Sequence, residues 1–260
     1  SDIQSEALHG EVTSGHVSLL LRVPAGAAPV AGGLDVTASV NPLQQLTDAL
    51  AGVTSAPGHG SEALASRVLA VASLREELWS FTSRDLPAPE TMEREVAADL
   101  SRLLALQEPD GGFAVWKSGE GSQPFFGIHA AHALAVARDH GYDVPWASWT
   151  ASSRYLRQME LHVPQWVSRE SSWALRAYAL YVLHRMGETQ PEASRVLLRE
   201  AGTEKLPLEA HAWLLPVLDA GGADWEVDQI LEHLAGRATV TGTRAHFATG
   251  YSDGAQVLLH

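Results

Sequence analysis

The chain of 260 residues contains no cysteine. That absence excludes disulfides, thiolate-ligated zinc, iron–sulfur clusters, a cysteine nucleophile and any thioester built on a cysteine side chain. Basic residues are also few: 18 Lys and Arg stand against 31 Asp and Glu, a formal charge of −13, and only Lys117 and Lys205 are lysines. Phosphate binding needs clustered cations, and these are scattered, so nucleic acid is not an expected partner. No apolar run approaches the ~18–20 residues of a bilayer span, and direct membrane insertion of this segment is not expected. What is present is length for one large domain, or one domain and a small appendage, with 45% apolar residues to fill its core.

The text changes character near Pro42. Before it, Val17 to Val23 (VSLLLRV) and Leu34 to Val40 (LDVTASV) are short β-branched runs around a Pro/Gly-rich loop, and they predict two strands. After it, Ala, Leu, Arg and Glu recur at helical spacing, and Gly and Pro gather between segments. Helices are expected at about 43–52, 61–79, 90–106, 126–140, 146–161, 170–186, 191–200, 206–219 and 224–235. His132 to Pro145 (HALAVARDHGYDVP) overlays Tyr178 to Pro191 (YALYVLHRMGETQP) at an offset of 46, and Ala212 to Gly221 (AWLLPVLDAG) is a worn third copy. Each copy is an apolar helix that ends at glycine and is followed by another helix, which is the pattern of stacked helical hairpins. The Ala/Leu-rich helices read as inner, and Arg/Glu-rich partners such as 90–106 and 191–200 as outer. The expected fold is thus mainly α, an α/α toroid of helical hairpins incomplete at the C-terminus, with short strands at the N-terminus and near the C-terminus. Arg244 to Phe247 and Gln256 to His260 look like the two extended pieces of that end.

Candidate chemistry is sparse. His129 and His132 lie at i, i+3 on a predicted helix, but neither an HExxH pattern nor a His-plus-carboxylate grouping accompanies them, so no metal and no cofactor is expected. Gly58-His59-Gly60-Ser61-Glu62-Ala63 fails the GxSxG pattern and is preceded by loop, which leaves Ser61 as the expected N-cap of helix 61–79. Leu103 to Trp116 (LLALQEPDGGFAVW) is the sharpest local motif. In it Gln107 precedes Asp110-Gly111-Gly112-Phe113, a turn in which Asp110 can bond the backbone, the glycines supply positive φ and Phe113 returns to the core. Trp146, Trp149 and Trp166 flank predicted loops or helix ends, where rings can line a sugar or peptide cleft. They are read instead as core residues between two helix layers.

Pro57 to Arg67 (PGHGSEALASR), with the RVLAVASL that it runs into, resembles the thioester region of bacterial alpha-2-macroglobulins, whose core is Pro-x-Gly-Cys-x-Glu-Gln followed by a small-residue stretch and Ser-Arg. Pro57 and Glu62 match the family proline and glutamate. Gly60 stands where the reactive Cys would be, and Ala63 where its Gln partner would be. LLALQEPDGGFAVW, HALAVARDHGYDVP and RAYALYVLHRMG resemble further helices of the same domain, and VPAGAAP to LDVTASVNPL resembles strands of the adjacent CUB-like domain.

The resemblance implies a CUB-like fragment at 1–42 and a truncated thioester-like toroid at 43–260. It also implies a parent protein, periplasmic or at the bacterial cell surface, that traps proteases. Its partners would be proteases and neighbouring domains of the same protein. Without Cys and Gln the thioester cannot form, so Pro57, Gly58, His59, Gly60, Ser61, Glu62 and Ala63 are expected to be a degenerate thioester loop in a non-enzymatic domain whose trapping is non-covalent. Two alternatives stay open: an envelope scaffold that binds a partner through the toroid face, and a toroid enzyme of glycosidase or terpene-cyclase type. The second lacks any DxDD-like or DDxxD-like string.

Overall fold

The computed structural model describes residues 58–74, 88–241 and 244–247, with isolated positions 16, 18, 20, 50, 52 and 53. The chain divides into two units, Ser1–Pro42 and Leu43–His260, and every element named below belongs to the second. Of the expected N-terminal strands only Ser18 and Leu20 fall among the described residues, without regular structure, and Leu50, Gly52 and Val53 are helical within the expected helix at 43–52 and at its edge. The remainder of those segments, Pro57, the tail of helix 61–79 beyond Leu74, and 256–260 lie outside the described residues.

Nine helices and one ribbon follow in order among the described residues: α1 Ser61–Ser73, α2 Pro89–Leu104, α3 Pro124–Asp139, α4 Trp146–Arg157, α5 Met159–His162, α6 Arg169–Arg185, α7 Pro191–Ala201, α8 Leu208–Ala220, α9 Asp224–Arg237, β1 Ala238–Thr241 and β2 Arg244–Phe247. The starts of α2, α3 and α7 carry Pro at the first helical position, where the missing N–H has no intrahelical acceptor to lose. Ser168 caps α6 by accepting from the Ser171 N–H at 3.2 Å. The expected cap at Ser61 is displaced by one residue. Gly60 is the N-cap of α1, with no side-chain cap bond, and Ser61 is already helical and fully buried.

The repeat is visible in how the apolar helices stop. Tyr142 N–H bonds Ala137 O at 2.9 Å, Glu188 N–H bonds Leu183 O at 2.8 Å, and Ala223 N–H bonds Leu218 O at 3.0 Å. Each bond reaches back five residues over a glycine of positive φ, namely Gly141, Gly187 and Gly222. The third copy is therefore in register with Gly222 rather than Gly221. His132, Tyr178 and Trp213 each fall nine residues before that glycine (141 − 132, 187 − 178, 222 − 213). They also meet in space: the Tyr178 ring lies 4.3 Å from Trp213, stacked at 14°, and 5.7 Å from His132, edge-on.

The series α1, α3, α6, α8 packs in sequence, each helix on the next, and α2, α4, α7 and α9 lie against it. Three core clusters follow: Leu64, Val68, Val96, Leu103 and Phe113 between α1, α2 and α3; Ile128, Tyr155, Leu175 and Val182 between α3, α4 and α6; and Ala177, Leu197, Leu214 and Ile230 between α6 and α9. The inner helix α3 is buried over most of its circumference from Ile128 to Ala137, whereas α2 buries one stripe of Met92, Val96, Leu100 and Leu103. This is a mainly helical, toroid-like array of hairpins with few strands. The extended piece expected at Arg244 to Phe247 is β2, and its partner among the described residues is the antiparallel β1, Ala238 to Thr241, immediately after α9.

Candidate functional site

The loop before α1 is held at three points. Arg67, two turns into α1, donates from Nε and Nη2 to both carboxylate oxygens of Asp99 on α2 at 2.7 and 3.2 Å, and from Nη1 to the Gly58 carbonyl at 3.0 Å. The Arg67 and Asp99 side chains are only 12% and 9% exposed, so this fork is a buried ion pair that also satisfies a loop carbonyl. Arg102 adds a contact to Asp99 from the solvent side at 3.2 Å. Past the fork, the Ser61 N–H donates to Val115 O at 2.9 Å, which clips the helix start to the segment after Phe113.

That clip brings Trp116 over Gly60. A Cβ built on Gly60 would lie 2.9 and 3.1 Å from Trp116 ring carbons and 3.1 Å from Val115 O, so the space over Gly60 is closed by an indole. Gly58 is half-buried, His59 and Glu62 are exposed, Gly60 and Ser61 are buried and Ala63 is intermediate. Ser61 Oγ is buried without a hydrogen-bond partner among the described residues, which suits neither a nucleophile nor a cap.

The turn that carries Val115 and Trp116 is fixed by Gln107, Asp110, Gly111, Gly112 and Phe113. Gln107 forms an isolated bridge with Phe113, and its Nε2 donates to Gly111 O, Ser148 O and Ser152 Oγ. Asp110 accepts from Gly112 N–H at 2.9 Å and from Ser122 Oγ at 2.6 Å. Gly111 has φ 98°, and an added Cβ would run into the Ala151 carbonyl oxygen. Phe113 is fully buried. The turn thus joins α2 to α4 and carries Trp116 back to the α1 start.

The tryptophan expectation needs correction. Trp149 is buried, but Trp146 is 66% and Trp166 80% exposed, because Trp146 opens the outer helix α4 and Trp166 sits in the loop before α6. Arg138 lies over the Trp149 ring at 4.4 Å and the Trp146 ring at 5.5 Å, so a cation joins those two.

One group escaped the sequence reading. Ser66 on α1 touches Glu62 Oε1 at 3.0 Å and His129 Nε2 at 2.9 Å; His129 Nδ1 touches Tyr178 Oη at 3.0 Å; and His132 Nδ1 touches the same Oη at 2.9 Å. Burial lowers the pKa of His129 below its ordinary value against the pull of Glu62, and burial with the His129 and Arg185 charges takes His132 down to about 4. Both imidazoles are neutral at pH 7. Burial raises the Tyr178 phenol above its ordinary value. The repeat held the signal, since His132 and Tyr178 are equivalent positions on adjacent inner helices. Ser66 carries only the Ser-Arg step of the family resemblance, which does not point to this group. Among the described residues no group of three or more His, Asp or Glu is placed to hold a metal ion, and no helix is long and apolar enough to cross a membrane.

Helix order and layering define a toroid-like domain of stacked α-hairpins, and solved structures of that fold include bacterial alpha-2-macroglobulins. The Escherichia coli protein, spanning domain MG7 to the C-terminus, aligns over 74% of this chain with a TM-score of 0.58 and 19% identity. The Salmonella protein reacted with methylamine aligns over 73% with a TM-score of 0.59 and 21% identity. This chain spans 31% and 12% of those two chains. At these identities the likeness is one of fold. Among curated proteins, circularly permutated Ras protein 2 of Dictyostelium discoideum is 25% identical over 241 residues, which is 82% of this chain and 6% of that protein. Neither Lys117 nor Lys205 follows a glycine, so the Gly-Lys step of a phosphate-binding loop is missing here. No protein-family model matches the chain.

Proposed function

We propose that the chain is a thioester-less alpha-2-macroglobulin-type domain, part of a longer extracytoplasmic bacterial protein that traps proteases without a covalent bond. On this reading residues 1–42 belong to a CUB-like neighbour and 43–260 form the thioester-like toroid. The observation that carries it is the Gly60 site. In the family likeness this is the cysteine position, and here it is both empty of a thiol and capped by Trp116 within 2.9 Å of where a Cβ would stand. The loop is kept in shape, by Arg67 and Asp99, although its chemistry is gone. In trapping, the domain acts as a wall that moves with its parent.

The test is residual protease activity after incubation with the full-length protein that carries this chain, read on a small peptide and on a large protein substrate. Trapping predicts loss on the large substrate alone. Equal activity on both, with and without the protein, overturns it. A scaffold function is the second reading, favoured by Trp116, Trp146, Trp166 and Trp225, which expose between 66% and 80% of their surface. Tryptophan is enriched at protein–protein interfaces relative to the rest of the surface.

A further inference from the structure

We infer that Ser66 is a nucleophile for activated carbonyl and phosphonyl groups, with His129 as its base and Tyr178 and His132 as positioning residues. This activity is independent of protease trapping. Its basis is the five-residue chain Glu62, Ser66, His129, Tyr178, His132, assembled from three helices, in which the Ser66–His129 link alone joins residues 63 apart in sequence.

Proton counting gives the chain two self-consistent directions. In the resting direction Ser66 O–H donates to Glu62, His129 Nε2–H donates to Ser66 Oγ, Tyr178 O–H donates to His129 Nδ1, and His132 Nδ1–H donates to Tyr178 Oη. In the reactive direction Ser66 O–H donates to His129 Nε2, His129 Nδ1–H donates to Tyr178 Oη, and Tyr178 O–H donates to His132 Nδ1. Glu62 is exposed, so water replaces Ser66 as its partner at little cost. Only the second direction leaves Nε2 free to take the serine proton. Nucleophile, base and a third group that fixes the base are then all within hydrogen-bond reach.

Reach from solvent and the electronic environment agree with this role. Ser66, His129 and His132 are part-exposed, while Tyr178 is 5% exposed and rigidly stacked on Trp213. Phe125 stacks on the His129 ring at 5.5 Å and 13°, which holds the imidazole plane. With an activated ester, Ser66 Oγ bonds the carbonyl carbon, its proton passes to His129 Nε2, the carbon–oxygen bond to the leaving group breaks, and the departing alkoxide takes the proton from His129. With a fluorophosphonate, the Oγ–P bond forms, P–F breaks, and fluoride leaves with the proton passed through His129.

The test is labelling of the chain by an alkyl fluorophosphonate at pH 7.5, followed by intact mass and peptide mapping. One adduct at Ser66 is expected, absent in Ser66→Ala. His129→Leu should slow labelling by about 100-fold or more, the usual worth of a general base. His132→Leu takes away the acceptor that the reactive direction needs and should slow labelling by about 10-fold, a loss that His132→Asn restores because its amide oxygen accepts from Tyr178. Glu62→Ala removes the competing acceptor and should raise the rate, and the rate should fall as pH drops through the His129 titration below 6.5. Thermal melts by circular dichroism exclude loss of fold as the cause. Absence of an adduct on Ser66 in the folded chain overturns the inference, and so does a rate in folded His129→Leu equal to that of the unsubstituted chain.

Discussion

Replacing Gly60 by alanine should destabilise the domain by ~1–2 kcal/mol, and the size follows from what surrounds the new atom. A Cβ there would stand 2.9 and 3.1 Å from the Trp116 ring and 3.1 Å from Val115 O, where relaxed carbon contacts lie at about 3.5–4.0 Å. Trp116 is 68% exposed and can swing outward only by giving up its packing on the loop, while Val115 O is held by the Ser61 N–H at 2.9 Å and gives little. The backbone itself adds no strain, since φ −75° and ψ 161° suit alanine. Overpacking costs ~1–3 kcal/mol, alanine is a poorer N-cap than glycine, and reduced freedom of the unfolded chain returns ~0.4–1 kcal/mol. Trp116→Ala removes the ring contacts and leaves only that with Val115. In that background the Gly60→Ala cost should fall below ~1 kcal/mol, an interaction energy of about 1 kcal/mol. Urea denaturation of the four proteins of this cycle measures it. Effects that add to within ~0.3 kcal/mol, or a Gly60→Ala chain as stable as the original, would refute the packing of Trp116 over the loop, and with it the steric closure at Gly60.

Two further predictions concern the same core. Asp99→Ala strands the Arg67 guanidinium in a buried site and should cost ~3–5 kcal/mol; loosening of Gly58 should also speed proteolytic nicking near His59, and a loss below ~1 kcal/mol in urea melts would show that the fork is dispensable. His132 and His211 are held down to about 4, in each case chiefly by burial. Between about pH 6.5 and 4 the unfolded chain therefore binds protons that the folded chain refuses, and stability falls as pH drops, by ~2 kcal/mol per histidine at pH 5 relative to pH 7. His211→Phe should remove its share, about 2 kcal/mol, of the difference between the two pH values in urea melts, and an unchanged slope would contradict the assignment.

Much of the helical frame was legible because its signals are local. Pro89, Pro124 and Pro191 open helices, and Gly141 and Gly187 close them, each through a backbone preference that needs no tertiary context. The third copy was misregistered by one residue, since Gly221 and Gly222 are adjacent and only the second adopts positive φ. The Ser61 cap failed because Val115 O, 54 residues on in sequence, takes the Ser61 N–H and draws the residue into the helix. Long-range pairing is invisible to spacing arguments. So was the outward placement of Trp146 and Trp166, since exposure depends on which layer a helix joins. Before α1, no local signal places Trp116 over Gly60, because that contact joins segments 56 residues apart. The Ser66 network joins helices α1, α3 and α6 across side chains that no short motif unites, although the repeat placed His132 and Tyr178 on equivalent turns.

The proposed function is capture without a covalent bond. Its most direct test is to mix the full-length protein with an active protease, isolate the complex under native conditions, and resolve it on a denaturing gel under reducing conditions. The account predicts co-elution of the protease in the native step and its complete release at its own mass on the gel. A protease-linked band that survives denaturation, or a protease that never co-elutes, would contradict it.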